Sequence, residues 1–530
     1  MNQLAPIAPP HVTQHWQVRK QAARGRGVVV SQAREAAEVG VAVLEAGGNA
    51  ADAAVATAFA LATLEPWNSG IGGIGFAVVH KAGERQSETL DFGPIAPAGL
   101  RPEAFKLTGR MKQDLFSWPE VVGDTNIHGP LSFVIPSSVA GYAALHAKHG
   151  RMPLKELIGP AVALAKRGLA QDWFTTLKIA NSASVLKLYA ESARIYLPGG
   201  MPPVAPYQGN PGFLAQGRLA ATLERLRDAG LDDYYTGDIA AALVKDIQGM
   251  GGVISATDLA GCKPVWRRAL EVAWRGRRLQ LANGLTAGPT MAEVVRDMQA
   301  LPQRQGVPDT AWYATLSRVM RAAYASRLAG LGADTALEPS ETCTTHLTVM
   351  DRDGNAVAMT TTLLSSMGSR VVLPETGVLM NNGVMWFDPT PGTPNAIGPG
   401  KRALCNMNPA ILLDEGGTKP WIAGGASGGR RILAAVYQLM AFAADFGMAP
   451  EDAAHHPRID VSAPEGVTAD ARLDGATLAA LGAETPITVV EHAVMPVNFA
   501  CPNLIQAQAN GEAIGISDAL SPWSAARATG

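Results

Sequence analysis

The sequence predicts an α+β protein in which layers of helix enclose packed β-sheets, on the evidence of three changes of texture along its 530 residues. Before residue 344 helical periodicity dominates. From 344 onward the chain turns to short β-branched runs separated by turn residues, and helix returns over 431–446 (RILAAVYQLMAFAADF). Helices, then strands, then helices place helical layers against sheets. A chain of this length makes one large or two ordinary domains. No internal repeat, linker or low-complexity tract divides it, so the two halves are expected to form one interlocked body.

The elements follow in order. Residues 35–47 put Ala37, Val41 and Leu44 on one helical face and stop at Gly47-Gly48. Asn49 then opens a second helix, ADAAVATAFALATL, whose many small side chains imply tight burial. NSGIGGIGFAVVH is a glycine-rich turn feeding a strand. Segments 138–170 and 217–262 read as helical between Gly and Pro breaks, as do Met291 to Ala300 and Ala311 to Leu328. Beyond 344, THLTVMDRDGNAVAMTTTL, SRVVLPETGVLMN, PAILLDEGG and TKPWIAGG read as strands with turns between them.

Composition narrows the function. Apolar residues make up 47% and charged residues 17%, the balance of a compact globule. A net charge of −2 and a pI near 6.6 supply no global field for nucleic acid or anionic membrane. The short cluster Arg275 to Arg278 reads as a solvated turn. Partners are expected to be small molecules or copies of the chain. The four cysteines (262, 343, 405, 501) form no CxxC unit, so neither a zinc site nor a disulfide framework is expected, and a reducing compartment suits them. The first residues, MNQLAPIAPPHVTQHW, lack the pattern of a secretory signal, and the most apolar helical run, Ala53 to Leu64, is too short to span a bilayer. A cytoplasmic enzyme without metal or cofactor is the expectation.

The chemistry concentrates in CTTHLTVMDRDGNAVAMTTTLL. Asp353-Gly354 is a hairpin signal between alternating β-formers. Thr344 and Thr362 each lie nine residues from Asp353, so a hairpin centred there sets them opposite one another, with Cβ atoms about 5 Å apart. Threonine also simply favours strands, and a TTT run alone is compatible with plain β-surface. GGASGGRRI, residues 424–432, adds a glycine-rich turn from a strand into a helix, whose N–H groups are suited to an oxyanion. A Walker A loop needs Gly-Lys-Ser/Thr where Gly-Arg-Arg stands here. Gly70, Gly72 and Gly75 match a dinucleotide fingerprint in spacing, but they precede a strand instead of joining strand to helix. His146, His149, His455 and His456 show no ligand spacing, and no Gly-x-Ser-x-Gly occurs.

Six ordered blocks across nearly the whole chain resemble the gamma-glutamyltransferase family of N-terminal nucleophile (Ntn) hydrolases. They are EVGVAVLEAGGNAADAAVATAFAL, NSGIGGIGF, PSSVAGYAALHAKHGRMPLKELIGPAVALAKRG, TTHLTVMDRDGNAVAMTTTL, GPGKRALCNMNPAILL and GGASGGRRI. The resemblance implies an αββα four-layer sandwich built from two fragments of one precursor. In it, the Thr344 hydroxyl attacks the Cys343 carbonyl, leaving a large fragment 1–343 and a small fragment 344–530 as a heterodimer, with higher oligomers open. The freed α-amine, with an ordinary pKa of about 7.7–8.0, then serves Thr344 as a base toward a small amide. The resemblance gives Thr362 a positioning role and Gly428 and Gly429 the oxyanion.

The substrate clamp departs from that family. Asp91-Phe92 is followed by Gly93 where members carry an arginine for the glutamyl carboxylate, and Leu364 replaces an asparagine. Gly383 and Trp386 stand where the α-amine is gripped, after Asn381-Asn382, and Cys405-Asn406 replaces a Ser-Ser pair. Losing a bidentate arginine alone removes a strong charge-assisted contact. Arg430 stands after the oxyanion glycines where serine is usual, and is a candidate carboxylate anchor, with a surface or carbonyl-capping arginine as the alternative. Arg431 matches a family arginine and is expected to be structural. Arg430, Asn382, Trp386 and Asn406 are the candidate substrate contacts. The pattern is similar to the oxamate amidohydrolase branch, which makes oxalate and ammonia in purine-ring catabolism. Glutathione hydrolysis with a rebuilt clamp, a cephalosporin acylase-like amidase with Trp386 as a stacking wall, and an inactive unprocessed scaffold are the alternatives.

Overall fold

The computed structural model describes residues 19–111, 118–302, 306–331, 342–463 and 466–530; of residues 328–331, 342 and 343 only the backbone is described. The signal-peptide reading of the first 16 residues therefore lies outside the described residues.

Two seven-stranded antiparallel sheets carry the fold. From edge to edge the first runs Ala525–Ala528, Val28–Ser31, Thr342–Met350, Ala356–Ser365, Ile74–His80, Glu88–Phe92 and Val265–Arg268. The second runs Ala23–Gly25, Ala513–Ser517, Cys501–Ala507, Pro420–Ser427, Ala410–Leu413, Arg277–Leu281 and Leu270–Trp274. Each sheet takes strands from both sides of residue 344.

Side-chain alternation along these strands builds the layers. Val28, Val30, Met350, Ala356 and Ala358 of the first sheet meet Ile411, Leu413, Ala423 and Ile505 of the second in one inner cluster. Their odd neighbours Val29, Val349, Val357 and Met359 point outward onto helices Arg34–Glu45, Ala50–Leu64, Ser138–His149 and Leu154–Arg167. On the far face Leu412, Ile422, Leu504 and Ile516 pack on helices Gly288–Met298, Thr310–Leu331 and Ile432–Ala444. Both sheets are covered on both faces, which explains strands that are apolar throughout. The result is the helix–sheet–sheet–helix stack the resemblance implied.

Helix Ala50–Leu64 lies at the centre of its layer, every residue buried, with Asn49 and Asp52 forming a reciprocal capping box at its start. Two expectations differ from the observed elements. Segment 369–381 forms no sheet strand: Val371 and Leu373 fold back on Met380 and Val378 in a tight local turn. Pro374 lacks a donor for a ladder, and Arg370 and Gly377 take positive φ values of 62° and 69°, which bend the chain. Helix Trp173–Leu186 and the small sheet Ile459–Asp460, Val467–Asp470 and Ile487–Val490 were not foreseen. No helix among the described residues is long and apolar enough to cross a membrane.

Candidate active site

The hairpin Thr342–Met350 and Ala356–Ser365 closes over Asp351, whose carboxylate accepts the N–H groups of Asp353 and Asn355 at 3.0 and 2.9 Å. Gly354 takes the left-handed conformation at φ +85°, as the Asp-Gly signal requires. From Met350–Ala356 to Thr345–Thr361 the register is the one that a turn centred on Asp353 dictates. It slips by one residue between Thr345 and Cys343, which pairs with Leu364. Thr344 therefore sits in a bulge, out of ladder register. Its side chain still meets the predicted partner, with Thr344 Oγ1 donating to Thr362 Oγ1 at 3.2 Å. The Leu364 N–H donates to the same Thr362 oxygen at 2.8 Å, and Leu364 adopts φ +89°, a conformation costly for a branched side chain. Bulges re-aim side chains at the ends of sheets, and this one turns Thr344 out of the ladder.

Thr344 is almost fully buried and forms part of the wall of a cavity of about 250 Å3. Across that cavity the strand Pro420–Ser427 ends in Gly428, at φ +133°. A Cβ at Gly428 would lie 2.8 Å from Ala500 Cα, so only glycine fits there. Arg431 holds the turn from behind, donating to the carbonyls of Gly428 and Val497. The far wall, Val494 to Phe499, is thereby tied to the glycine turn. Burial opposes charge on His492 at the base of this segment, but Asp518 and Asp470 outweigh it and raise its pKa. Asp518 in turn pairs with buried Arg458 at 2.7 Å.

A polar chain runs behind the cavity. Thr345 Oγ1 donates to Glu65 at 2.9 Å, Asn68 Nδ2 donates to Gln32 at 3.2 Å, and Gln32 Nε2 donates to Ser427. Its ends adjoin Thr344 on one side and Gly428 on the other. Burial is the main force on the Glu65 carboxyl and pushes its pKa up to about 7, against the hydrogen bonds from Thr345 and Asn68. None of these residues was singled out from the sequence. A carboxylate directly after a helix that carries no charge beyond its first turn is a signal that could have found Glu65.

The opposite side of the hairpin is closed. Leu364, Trp386, Met385, Val384, Cys405 and Met407 share one apolar cluster with Ile74 and Phe76. Asn382 donates to the Ile127 carbonyl and to Ser365 Oγ, both at 2.7 Å. Asp91 pairs with Arg402 at 2.8 Å. Gly73 packs against the Thr362 carbonyl, 2.5 Å from where its Cβ would be, which accounts for a glycine-rich turn beside the hairpin. Tyr324 donates to the Arg430 carbonyl, on the helical side of the turn.

The cavity thus joins Thr344 and Gly428, with Thr362 in contact beneath. Gly429 follows in the turn, at φ +62°. Arg430, Asn382, Trp386 and Asn406 are buried but do not line this cavity; Arg431, Lys178, Asn181, Asn68 and Gln32 do. Cys343 contributes its backbone, and its side chain lies outside the described residues. Among the described residues no group of three or more His, Cys, Asp or Glu side chains is placed to hold a metal.

Known proteins resemble this chain in fold and in sequence. A cephalosporin acylase from Bacillus halodurans superposes with a TM-score of 0.83 over 100% of both chains at 24% identity, a likeness of fold. The glutathione hydrolase proenzyme of Escherichia coli (strain K12) is 31% identical over 487 residues, covering 82% of this chain and 80% of its own. The Acylase ACY 1 proenzyme of Pseudomonas sp. (strain SE83) is 29% identical over 86% of each chain. The family model described as Gamma-glutamyltranspeptidase matches residues 36–341 and 333–521. With its fold and these matches together, the chain belongs to the gamma-glutamyltranspeptidase family of Ntn hydrolases.

Proposed function

We propose that the protein is a precursor that cuts itself between Cys343 and Thr344 and then hydrolyses a small amide through an acyl-threonine intermediate. The observation that carries this is the Thr344–Thr362 hydroxyl contact beside a cavity whose lining includes both Thr344 and Gly428. In the first step the Thr344 hydroxyl adds to the Cys343 carbonyl and the peptide nitrogen leaves as the Thr344 amine, giving an ester that water hydrolyses. Fragments 1–343 and 344–530 remain joined through both sheets. In turnover the freed amine takes the hydroxyl proton, Thr344 Oγ1 attacks the amide, and the leaving amine carries the proton away. Water then releases the acid. Thr362 orients the nucleophile, and the Gly428-Gly429 turn stabilises the oxyanion.

For the substrate we propose a small amide bearing a carboxylate, with oxamate the compound to test first. Supporting this is the apolar filling around Leu364 and Trp386, at positions where the resemblance places polar contacts to a zwitterionic glutamyl head. Glutathione hydrolysis is the second reading, favoured by the relatives named proenzymes of glutathione hydrolase. Ammonia release from oxamate and glutamine, beside glutathione cleavage, separates the two. Rapid glutathione cleavage with inert oxamate would overturn the oxamate choice, and a single full-length band on a denaturing gel would overturn self-cleavage.

A further inference from the structure

The cavity beside Thr344 is charged on one side only. Its wall contains two cations, Lys178 and Arg431, eight amide or hydroxyl side chains, and no Asp or Glu among the described residues. Arg431 is engaged with the carbonyls of Gly428 and Val497. Lys178 is placed differently. It belongs to helix Trp173–Leu186, where Phe174, Lys178 and Asn181 recur at spacings of four and three and so share the face that lines the cavity. Its Nζ lies 5.2 Å from the Phe174 ring centroid, and no ion pair to it occurs among the described residues. Lys178 acts electrostatically on the buried Glu65 carboxyl, whose pKa burial raises to about 7. A half-buried lysine in the wall that also contains Thr344, with no carboxylate ion-paired to it among the described residues, is placed to receive a bound anion.

We propose that Lys178 anchors the carboxylate of the substrate, making this cavity a subsite for anionic amides. The volume of about 250 Å3 is below the roughly 300–1,000 Å3 of pockets for drug-sized ligands, which suits a compact acid. Asn181, on the same face of the helix as the lysine, also lines the cavity and supplies an amide donor for a carboxylate oxygen not facing Nζ. This deepens the proposed function, on which it rests for the role of Thr344, and moves carboxylate recognition from Arg430 to the opposite wall.

The test measures binding and turnover separately. Oxalate, the dianion, and oxamide, its neutral diamide, are titrated by calorimetry into the full-length Thr344→Ala chain, with and without Lys178→Gln. Lys178→Gln is expected to weaken oxalate about tenfold or more while leaving oxamide unchanged, and Lys178→Arg to restore most of the loss. In the self-cleaving chain, Lys178→Gln should raise KM for oxamate with kcat nearly constant, and still yield two fragments on a denaturing gel. No oxalate binding to the Lys178-containing chain, an equal loss for oxalate and oxamide, or a loss produced by Arg430→Ala and not by Lys178→Gln each overturns the assignment. Failure of the chain to cut itself, with oxalate binding still dependent on Lys178, would sink the Thr344 reading and leave the anion subsite standing.

Discussion

The two sides of the Thr344–Thr362 hairpin end are built on opposite principles. Toward Gly428 lies an open cavity whose wall mixes apolar side chains with two cations and several amides and hydroxyls. Toward Leu364 and Trp386 lies a packed apolar cluster at the positions that resemble a glutamyl clamp. If the proposed function holds, the reaction geometry and the recognition geometry are carried by different residues, and one can be rebuilt while the other stays. A hydroxyl pair and a glycine turn depend on backbone register, which the sheets fix. A substrate grip depends on a few side chains, each replaceable by a volume-filling residue without disturbing a strand.

Predictions that break or sharpen this contrast run from large to small. Thr344→Ala should abolish both fragment formation and amide hydrolysis, seen as one band on a denaturing gel and no ammonia release. Gly428→Ala should lower kcat by about 100-fold or more through loss of the turn geometry, because its Cβ meets Ala500 and its φ is +133°. Steady-state kinetics with an unchanged fragment pattern would check it, and wild-type kcat would remove the glycine turn from the mechanism. On the apolar side, Trp386→Ala should cost about 3–5 kcal/mol of stability by chemical denaturation, as a large side chain at 2% exposure, yet the folded fraction should still cut itself. Loss of cutting in well-folded Trp386→Ala would show that the two sides are coupled.

The smallest effect concerns Glu65. Its folded-state pKa of about 7 lies above the ordinary value of 4.5, so the folded chain prefers the protonated carboxyl. That contribution is complete below about pH 4.5 and is lost as pH rises through 7. Glu65→Gln should therefore gain up to about 3 kcal/mol relative to wild type on going from pH 5 to pH 8. His346 titrates in the reverse sense, since burial pushes its pKa down to about 3 and disfavours the fold as pH drops below 6.5. Comparing Glu65→Gln with wild type at each pH cancels that background; parallel profiles would show that Glu65 is not titrating in this window.

How much of this was legible in the sequence follows the range of the interactions. The hairpin centre, the Asn49 cap and the close packing of helix Ala50–Leu64 are local and could be read from residue types alone. The register was right to Thr345 and failed at Thr344, because the slip depends on Leu364 taking a positive φ, which no β-former pattern signals. The chain linking Glu65 and Asn68 to Gln32 and Ser427 spans 395 residues between its last two members, beyond any periodicity. Lys178 escaped for a related reason. Its helix, WFTTLKIANSASVL, is buried along a narrow face and rich in residues of middling helix propensity, so it reads as neither strand nor strong helix.

The interleaving of the sheets also orders events in the life of the chain. Ala23–Gly25 pairs with Ala513–Ser517, and Val28–Ser31 pairs with Ala525–Ala528, so these strands are completed only by partners far away in sequence. Val28–Ser31 is in turn the neighbour of the strand that bears Thr344. Contacts so distant in sequence form late and slowly. A chain without Ala525–Ala528 would leave one side of Val28–Ser31, the strand that flanks the Thr344 strand, without its ladder partner, so the proposed cutting site is braced by residues remote from it in sequence.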